Sequence, residues 1–226
     1  MRIARVISPV VLAASWLFPT FAQTPAATSA PAAATSLHAE KISLNGISNA
    51  GKISAALFRG AQPSLESLAG LQSLGVTTIV DLRREDSEQI AKERRRAEKL
   101  GMRFIHIPVG GFATPTTDQM AEFLALFRET PAPRVFVHCQ YGRDRTGVFV
   151  AAYRIAIEHW TAEQAHDEMQ EFGFHNTWHP AMAKYVENLP AKLSGDPVLR
   201  EALAPAKPVE PAEAGAGRSS PVRVTP

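Results

Sequence analysis

A short polar segment in the second half of the chain combines a nucleophile with an anion-binding side chain. Its residues are Cys139, Gln140, Tyr141, Gly142, Arg143, Asp144, Arg145 and Thr146. Only five residues separate Cys139 from Arg145, so one loop can bring a thiol and a guanidinium to the same ligand. A planar guanidinium binds two oxygens of a phosphoryl group at once, which lysine cannot do. The pattern predicts an anion site that contains a nucleophile.

The apolar stretches on either side predict how this loop is held. Val135, Phe136 and Val137 precede it, and residues 148–157 follow it, which is the order of a buried strand, a tight loop and a buried helix. A helix N-terminus directs N–H groups and positive potential at an anion, and the same field lowers a thiol pKa. Gly142 is expected to let the backbone approach the anion, and the Thr146 hydroxyl to donate to the sulfur.

Residues 138–146 match the signature His-Cys-x5-Arg-Ser/Thr at every defining position, and so resemble the cysteine-dependent protein tyrosine phosphatase superfamily. Residues 58–64 also resemble the Arg-x-x-Gln-Pro-Ser segment of atypical dual-specificity phosphatases from bacteria, plants and fungi. The resemblance covers roughly residues 37–189. It implies that Cys139 attacks phosphorus to give a phosphocysteine, that Arg145 and the loop bind the phosphoryl oxygens, and that His138 orients the loop.

This chemistry needs a general acid for the leaving group. The resemblance implies an aspartate upstream of the cysteine, and Asp118, the only carboxylate between residues 108 and 122, is favoured. As the second residue of a predicted helix, Asp118 could instead serve only the helix dipole. Asp144 is the rival, because some lipid-directed relatives carry an aspartate immediately before the arginine. Asp81 and Asp86 stay open.

Arg59, in the second resembling segment, has two interpretations. It either helps to hold an anionic substrate or forms a structural ion pair.

The rest of the pattern predicts an α/β fold with a mainly parallel central sheet flanked by helices, similar to dual-specificity phosphatases. Buried strands are expected at residues 76–82 and 103–108, and a charged helix at 87–100. Capping boxes at Thr116 and Thr161, each with glutamine three residues on, predict two helix starts. A last helix is expected near residues 180–189.

The chain divides into four predicted regions. Residues 1–22 have an arginine-led apolar stretch and a Thr-Phe-Ala site, which predict a signal peptide and a periplasmic or secreted bacterial protein. Residues 23–36 form a disordered linker, residues 37–195 the phosphatase domain, and residues 196–226 a Pro/Ala-rich disordered tail. The apolar stretch is short and contains Pro9, so no stable membrane insertion is expected after cleavage.

Charge and cysteine content restrict the function classes. Without Arg2 and Arg5, 22 of the 24 basic residues remain against 22 acidic ones, so global charge does not favour nucleic acid or a membrane surface. One cysteine excludes an intramolecular disulfide framework. No metal-ligand cluster is visible, so no metal or cofactor is expected, and we expect a monomer.

Three functions compete. The first is a phosphatase for phosphotyrosine and other phosphorylated protein residues. The second is a phosphatase for inositol phosphates or phosphoinositides, which the two loop arginines and the fungal relatives suggest. The third is a non-catalytic phosphate-binding module, which is weak because both the cysteine and the arginine of the signature are present.

Overall fold

The structure, a computed structural model, describes residues 38–205, and its strands form one mixed sheet. They are β1 (Glu40–Lys41), β2 (Gly51–Lys52), β3 (Leu57–Ala61), β4 (Thr78–Asp81), β5 (Arg103–His106) and β6 (Val135–Cys139). Their order across the sheet is β1-β2-β3-β6-β4-β5. The β1–β2 and β2–β3 pairs are antiparallel, whereas β3, β6, β4 and β5 run parallel. The predicted mainly parallel sheet is therefore confirmed.

Helices connect the strands and complete the chain. They are α1 (Leu68–Ser73), α2 (Ser87–Lys99), α3 (Thr117–Ala125), α4 (Asp144–Ala156), α5 (Ala162–Glu171), α6 (Pro180–Glu187), α7 (Leu189–Gly195) and α8 (Pro197–Leu203). A 3-10 turn, Leu126–Arg128, follows α3. Both predicted capping boxes are confirmed, with Thr116 capping α3 and Thr161 capping α5.

The parallel strands bury hydrophobic side chains on both faces, as alternation along a strand requires. One face contributes Leu57, Val80, Ile105, Val135 and Val137 to a core with α3, α4 and α6. The other contributes Phe58, Ile79, Phe104 and Phe136 to a smaller core with α1 and α2. Fully burying a side chain of this size contributes about 1.5–3 kcal/mol before ordering costs are subtracted.

The register of the three central strands determines where the polar segment lies. Ala61 at the end of β3 pairs with Cys139 at the end of β6, and Asp81 at the end of β4 pairs with His138. These carboxyl ends therefore meet at one edge of the sheet, where open α/β sheets place their ligands. The predicted order of strand, loop and buried helix around Cys139 is confirmed by β6 and α4.

The folded part of the chain continues past the predicted boundary at residue 195. Asp196 accepts a hydrogen bond from the Val198 N–H, Pro197 occupies the first turn, and α8 packs on α3 with Leu199 buried. Composition alone predicted a disordered tail from residue 196, but a cap, a starting proline and one buried leucine are enough to form a docked helix.

Other predicted regions lie outside the described residues. These are the signal peptide at 1–22, the linker at 23–36 and the part of the tail from residue 206 onward. Within residues 38–205, no helix combines the length and the apolar character that crossing a bilayer requires.

Candidate active site

Cys139 is the last residue of β6, and the loop after it leads directly into α4 at Asp144. Its side chain is buried, with only 3% of the residue exposed. Burial by itself raises a thiol pKa. The Thr146 side chain, the Arg145 charge, and the backbone amides of Thr146 and Tyr141 together outweigh burial, so the pKa of Cys139 is lowered. The loop therefore favours the thiolate, which is the nucleophilic form.

Three acceptors hold the Arg145 guanidinium by one of its nitrogens. Its Nη1 lies 2.9 Å from Glu85 Oε2 and 3.0 Å from the Val109 carbonyl oxygen, with the Leu82 carbonyl oxygen at 3.4 Å. All three acceptors engage the same nitrogen, so the remaining N–H groups of the guanidinium are left for another anion. The sequence did not identify Glu85 as a site residue, because nothing in the sequence around a single glutamate indicates that it will contact Arg145, which is 60 residues away.

The structure shows a role for Gly142 that the sequence did not predict, and its predicted approach to the anion stays a prediction. Its φ is +65°, and a Cβ added there would lie 2.4 Å from the Gly60 carbonyl carbon and 2.5 Å from the Ala61 nitrogen. The close approach is thus to the backbone at the end of β3. Only glycine permits both this backbone conformation and this contact.

Two side chains hold the Gly142 carbonyl oxygen from the β3 side. Arg59 Nη2 donates to it at 2.6 Å and Asn49 Nδ2 donates to it at 2.9 Å. The structural ion pair expected for Arg59 is not formed, since no carboxylate in the described residues lies within ion-pair distance of this residue, which is 1% exposed. The other interpretation, that Arg59 helps to hold an anionic substrate, stays a prediction. Asn49 was missed entirely; its only local signal is the turn chemistry of the Ser48-Asn49-Ala50-Gly51 segment.

His138 belongs to a buried ionic cluster behind the loop. Its Nε2 lies 2.9 Å from Glu93 Oε1 and 3.9 Å from Asp81 Oδ1, while Arg83 bonds both carboxylates at 2.5 and 2.7 Å. Burial lowers the pKa of His138, but Glu93 and Asp81 more than reverse this, so the pKa is raised. The predicted role of His138 in orienting the loop fits this anchoring.

The three acceptor groups of Asp81, Glu93 and His138 lie close enough together to hold a metal ion. The Arg83 guanidinium, however, already pairs with both carboxylates, and His138 adds a second positive partner. Positively charged side chains therefore already neutralise the two carboxylates, and a metal ion is not needed for this. The same contacts leave Asp81 unsuited to protonate a leaving group, and Asp86 is used to cap α2.

The structure separates the two favoured acid candidates. Asp144 lines a cavity of about 430 Å³ together with Cys139 and Arg145, and its Oδ2 lies 3.5 Å from His179 Nε2. Asp118 is exposed in the first turn of α3 and is not among the residues that line this cavity. Its role as the acid stays a prediction.

The remaining predicted binding residues are distributed around the same loop. Tyr141 and Arg143 line the cavity, Gly142 and Thr146 are buried, and Gln140 lines a neighbouring groove of about 870 Å³. The groove and the cavity share Tyr141, Arg143, Gly173 and His175. The structure thus brings together every predicted site residue except Asp118.

Aromatic side chains surround the entrance of the cavity. Phe112 is 75% exposed, Trp178 73% and Tyr141 66%, and Phe112 stacks on His179 with ring centroids 5.0 Å apart. Exposed aromatic residues on three separate segments are costly to leave in water and are typical of a binding surface. Sequence reasoning did not select Phe112 or Trp178, because isolated aromatic residues in loops have no motif.

Comparison with known proteins agrees with this geometry. The dual specificity protein phosphatase TpbA of Pseudomonas aeruginosa is 34% identical over 127 residues, 54% of this chain and 54% of TpbA. The inositol diphosphatase DSP4 of Arabidopsis thaliana is 27% identical over 126 residues, 51% of this chain and 59% of DSP4. The chain thus spans about half the length of the curated relatives it matches.

A solved structure and a family model extend the comparison. A cysteine-to-serine variant of P. aeruginosa TpbA in complex with pTyr superposes with a TM-score of 0.56 at 25% identity, covering 72% of this chain and 99% of that one. The family model described as "PTP-NADK: DSP-PTPase phosphatase fused to NAD+ Kinase" matches residues 33–184. Because this match covers more than half of the chain, the protein belongs to that DSP-PTPase phosphatase family.

Proposed function

We propose that the chain is a cysteine-dependent phosphatase that hydrolyses phosphomonoesters. The observation that carries this proposal is that Cys139 and the Arg145 guanidinium line the same cavity. Thr146 and Arg145 lower the pKa of Cys139 against the effect of burial, and Glu85 holds the guanidinium in place. A stabilised thiolate beside an anion-binding arginine suits attack on a phosphoryl group. The similarity to TpbA supports the same chemistry.

The proposed reaction has two steps. The Cys139 thiolate attacks phosphorus, so that a P–S bond forms while the bond from phosphorus to the leaving oxygen breaks. Water then attacks phosphorus and gives a proton to the carboxylate that protonated the leaving group, the P–S bond breaks, and inorganic phosphate leaves as the thiolate is regenerated. The loop amides and Arg145 stabilise the negative charge on the non-bridging oxygens more strongly in the transition states than in the ground state, which accelerates both steps.

The leaving oxygen takes a proton in the first step, and two aspartates are proposed as its source. Asp144 has the structural support, because it lines the cavity with Cys139. Asp118 has the support of the family pattern. Replacing each by asparagine and comparing substrates with poor and good leaving groups separates them, since only the true acid becomes critical when the leaving group is basic.

We propose aryl phosphates, and phosphotyrosine in particular, as the preferred substrate class. The entrance formed by Phe112, Tyr141 and Trp178 offers ring faces for a planar substrate. The only arginine or lysine side chains among the residues that line the cavity are Arg143 and Arg145. A highly phosphorylated inositol would need more positive charge than this. The pTyr complex of the TpbA variant supports the same substrate class.

A substrate panel tests this assignment. Wild type, Cys139→Ser and the double variant Phe112→Ala/Trp178→Ala are assayed with a phosphotyrosine peptide, its phosphoserine counterpart and inositol hexakisphosphate. We expect a wild-type preference for phosphotyrosine, a loss of that preference in the double variant, and no turnover by Cys139→Ser. The matched control is Val198→Ala, which truncates another exposed hydrophobic residue outside the cavity and should change nothing.

Each other outcome identifies a different function. Preferential hydrolysis of inositol hexakisphosphate assigns the chain to the inositol phosphate phosphatases instead. Absence of turnover on every substrate, with phosphate binding intact, assigns the non-catalytic binding module.

We also propose that residues 1–22 direct export to a bacterial periplasm or beyond. The support is the sequence pattern of Arg2, Arg5, the apolar stretch and the Thr-Phe-Ala site. N-terminal sequencing of the exported protein tests it. A mature chain that begins near Gln23 is the expected result, and a chain that retains Met1 would contradict it.

A further inference from the structure

Arg59 places a positive charge in the interior, and within residues 38–205 no carboxylate lies in ion-pair contact with it. The residue lies in the middle of β3 and is 1% exposed. Its Nε and Nη1 have no hydrogen-bond partner within residues 38–205, and only Nη2 is engaged, by the Gly142 carbonyl oxygen. The guanidinium carbon lies 4.0 Å from the centroid of the Phe172 ring. The other buried arginines of residues 38–205, which are Arg83, Arg145 and Arg154, each bond a carboxylate.

Such an arrangement is expensive unless another anion compensates the charge. Removing an ion from water costs several kcal/mol even after relaxation, and one carbonyl and one aromatic face recover only part of that. Burial lowers the pKa of Arg59 to about 10, which still leaves the side chain protonated at neutral pH. The nearby anions that favour its charged form are, in order of effect, Glu168, Cys139 and Asp144. Glu168 is already paired with Arg154, whereas Cys139 and Asp144 line the cavity.

The contact with Gly142 also fixes the orientation of a loop amide. In a planar trans peptide, the carbonyl of one residue and the N–H of the next point in opposite directions. Arg59 and Asn49 hold the Gly142 carbonyl towards β3, at 2.6 and 2.9 Å, so the N–H of Arg143 points away from β3. Asn49 Nδ2 also donates to the Phe172 carbonyl oxygen at 2.9 Å, which ties this contact to the end of α5.

We propose that Arg59 is a positioning residue that, with Asn49, holds the Gly142 carbonyl so that the loop amides face the anion. The anion held by the loop in turn compensates the buried charge of Arg59. That anion is the Cys139 thiolate in the free protein and the phosphoryl group in the complex. The inference deepens the proposed phosphatase function and rests on it. It separates two contributions: Arg59 supplies charge and a hydrogen bond, whereas Asn49 supplies hydrogen bonds alone.

Four variants distinguish these contributions. Arg59→Met removes the charge and the hydrogen bond, and Arg59→Lys retains the charge. Asn49→Gly removes only the amide and suits the positive φ of 52° at this position. Phe172→Leu removes the ring beneath the guanidinium but keeps the charge and both hydrogen bonds to Gly142. It is the matched control for packing.

Three readouts are measured on each full-length variant. The first is the thiol pKa, taken from the pH dependence of alkylation of Cys139, the only cysteine in the chain. The second is the dissociation constant of vanadate, and the third is kcat and KM on an aryl phosphate. Circular dichroism and thermal melting establish that each variant is folded, so that a loss of stability alone is recognised.

For Arg59→Met we expect a thiol pKa higher by about one unit and vanadate binding weaker by about tenfold or more, because a nearby cation in the interior favours both anions. Arg59→Lys should restore the thiol pKa and only part of the vanadate affinity. Asn49→Gly should weaken vanadate binding with the thiol pKa unchanged. Phe172→Leu should lower the melting temperature and move neither anion readout.

The inference is overturned if folded Arg59→Met keeps the wild-type thiol pKa and vanadate affinity. If Arg59→Met does not fold, Arg59→Lys and Asn49→Gly decide: wild-type vanadate affinity in both would refute the inference. Failure of the proposed function looks different, because wild type would then hydrolyse no phosphate ester while vanadate binding and thiol pKa still responded to Arg59.

Discussion

Replacing Gly142 by alanine tests whether the loop is held against β3 as the structure shows. The added Cβ would lie 2.4 Å from the Gly60 carbonyl carbon and 2.5 Å from both the Ala61 nitrogen and the Gly60 oxygen. All three are backbone atoms of a central strand, so none can rotate away. The residue also has a φ of +65°, which disfavours any side chain.

The two effects add to a substantial loss of stability. A left-handed conformation costs a non-glycine residue about 1–2 kcal/mol. Forcing a methyl group into a packed site costs about 1–3 kcal/mol more. We therefore expect Gly142→Ala to lower the free energy of unfolding by about 2–5 kcal/mol. Because relief of the collision moves the loop off β3, turnover should also fall by at least about two orders of magnitude, in line with the effect of losing an anion-stabilising donor.

Gly101→Ala is the matched control. Gly101 has a φ of +79°, but nothing lies within 4 Å of its added Cβ, so it carries the conformational cost without the collision. We expect a loss of about 1–2 kcal/mol and normal activity. Urea unfolding and steady-state kinetics on both variants provide the comparison. A Gly142→Ala protein as stable and as active as Gly101→Ala would refute the close contact between loop and strand.

Three further predictions concern the buried cluster, the last helix and the acid. Burial lowers the pKa of His138, but Glu93 more than reverses this, so charged His138 stabilises the fold fully below its ordinary pKa near 6.5. This stabilisation is lost as pH rises through the higher pKa of the folded state. Glu93→Gln should therefore flatten the decrease in the free energy of unfolding between about pH 6 and 9, measured by urea titration. Leu199→Ala should cost about 2–5 kcal/mol in the same assay, whereas a disordered tail would make it neutral. Asp144→Asn should slow phosphoserine hydrolysis by about 10²–10⁴-fold and hydrolysis of an activated aryl phosphate far less, whereas Asp118→Asn should behave like wild type. A large loss in Asp118→Asn with little change in Asp144→Asn would instead assign the general acid to Asp118.

Local chemistry explains why much of the site could be predicted from sequence. The strand, loop and helix around Cys139 and Arg145 lie within one continuous segment, and the apolar runs on either side define their limits. The capping boxes at Thr116 and Thr161 likewise depend on residues three apart. Interactions over so few residues are determined by the segment itself, so periodicity and spacing were sufficient.

The missing parts depend on contacts between distant segments. Asn49 and Gly142 are 93 residues apart, and Arg145 and Glu85 are 60 apart. The antiparallel pairing of β2 with β3 and the parallel register of β3, β6 and β4 bring these pairs together, and no spacing rule encodes either. Arg59 shows the same limit: its segment was recognised, but its burial beneath the loop follows from the position of β3 beside β6.

The central claim is that Cys139 is the nucleophile, and trapping the phosphoryl enzyme tests it most directly. Wild-type protein is mixed with an aryl phosphate, quenched within one turnover and analysed by peptide mass spectrometry. Because Cys139 is the only cysteine in the chain, a phosphoryl group on sulfur has one possible location. We expect one phosphoryl group on the peptide that contains Cys139, and none in Cys139→Ser. Product formation without this adduct, or an adduct on another residue, would contradict it.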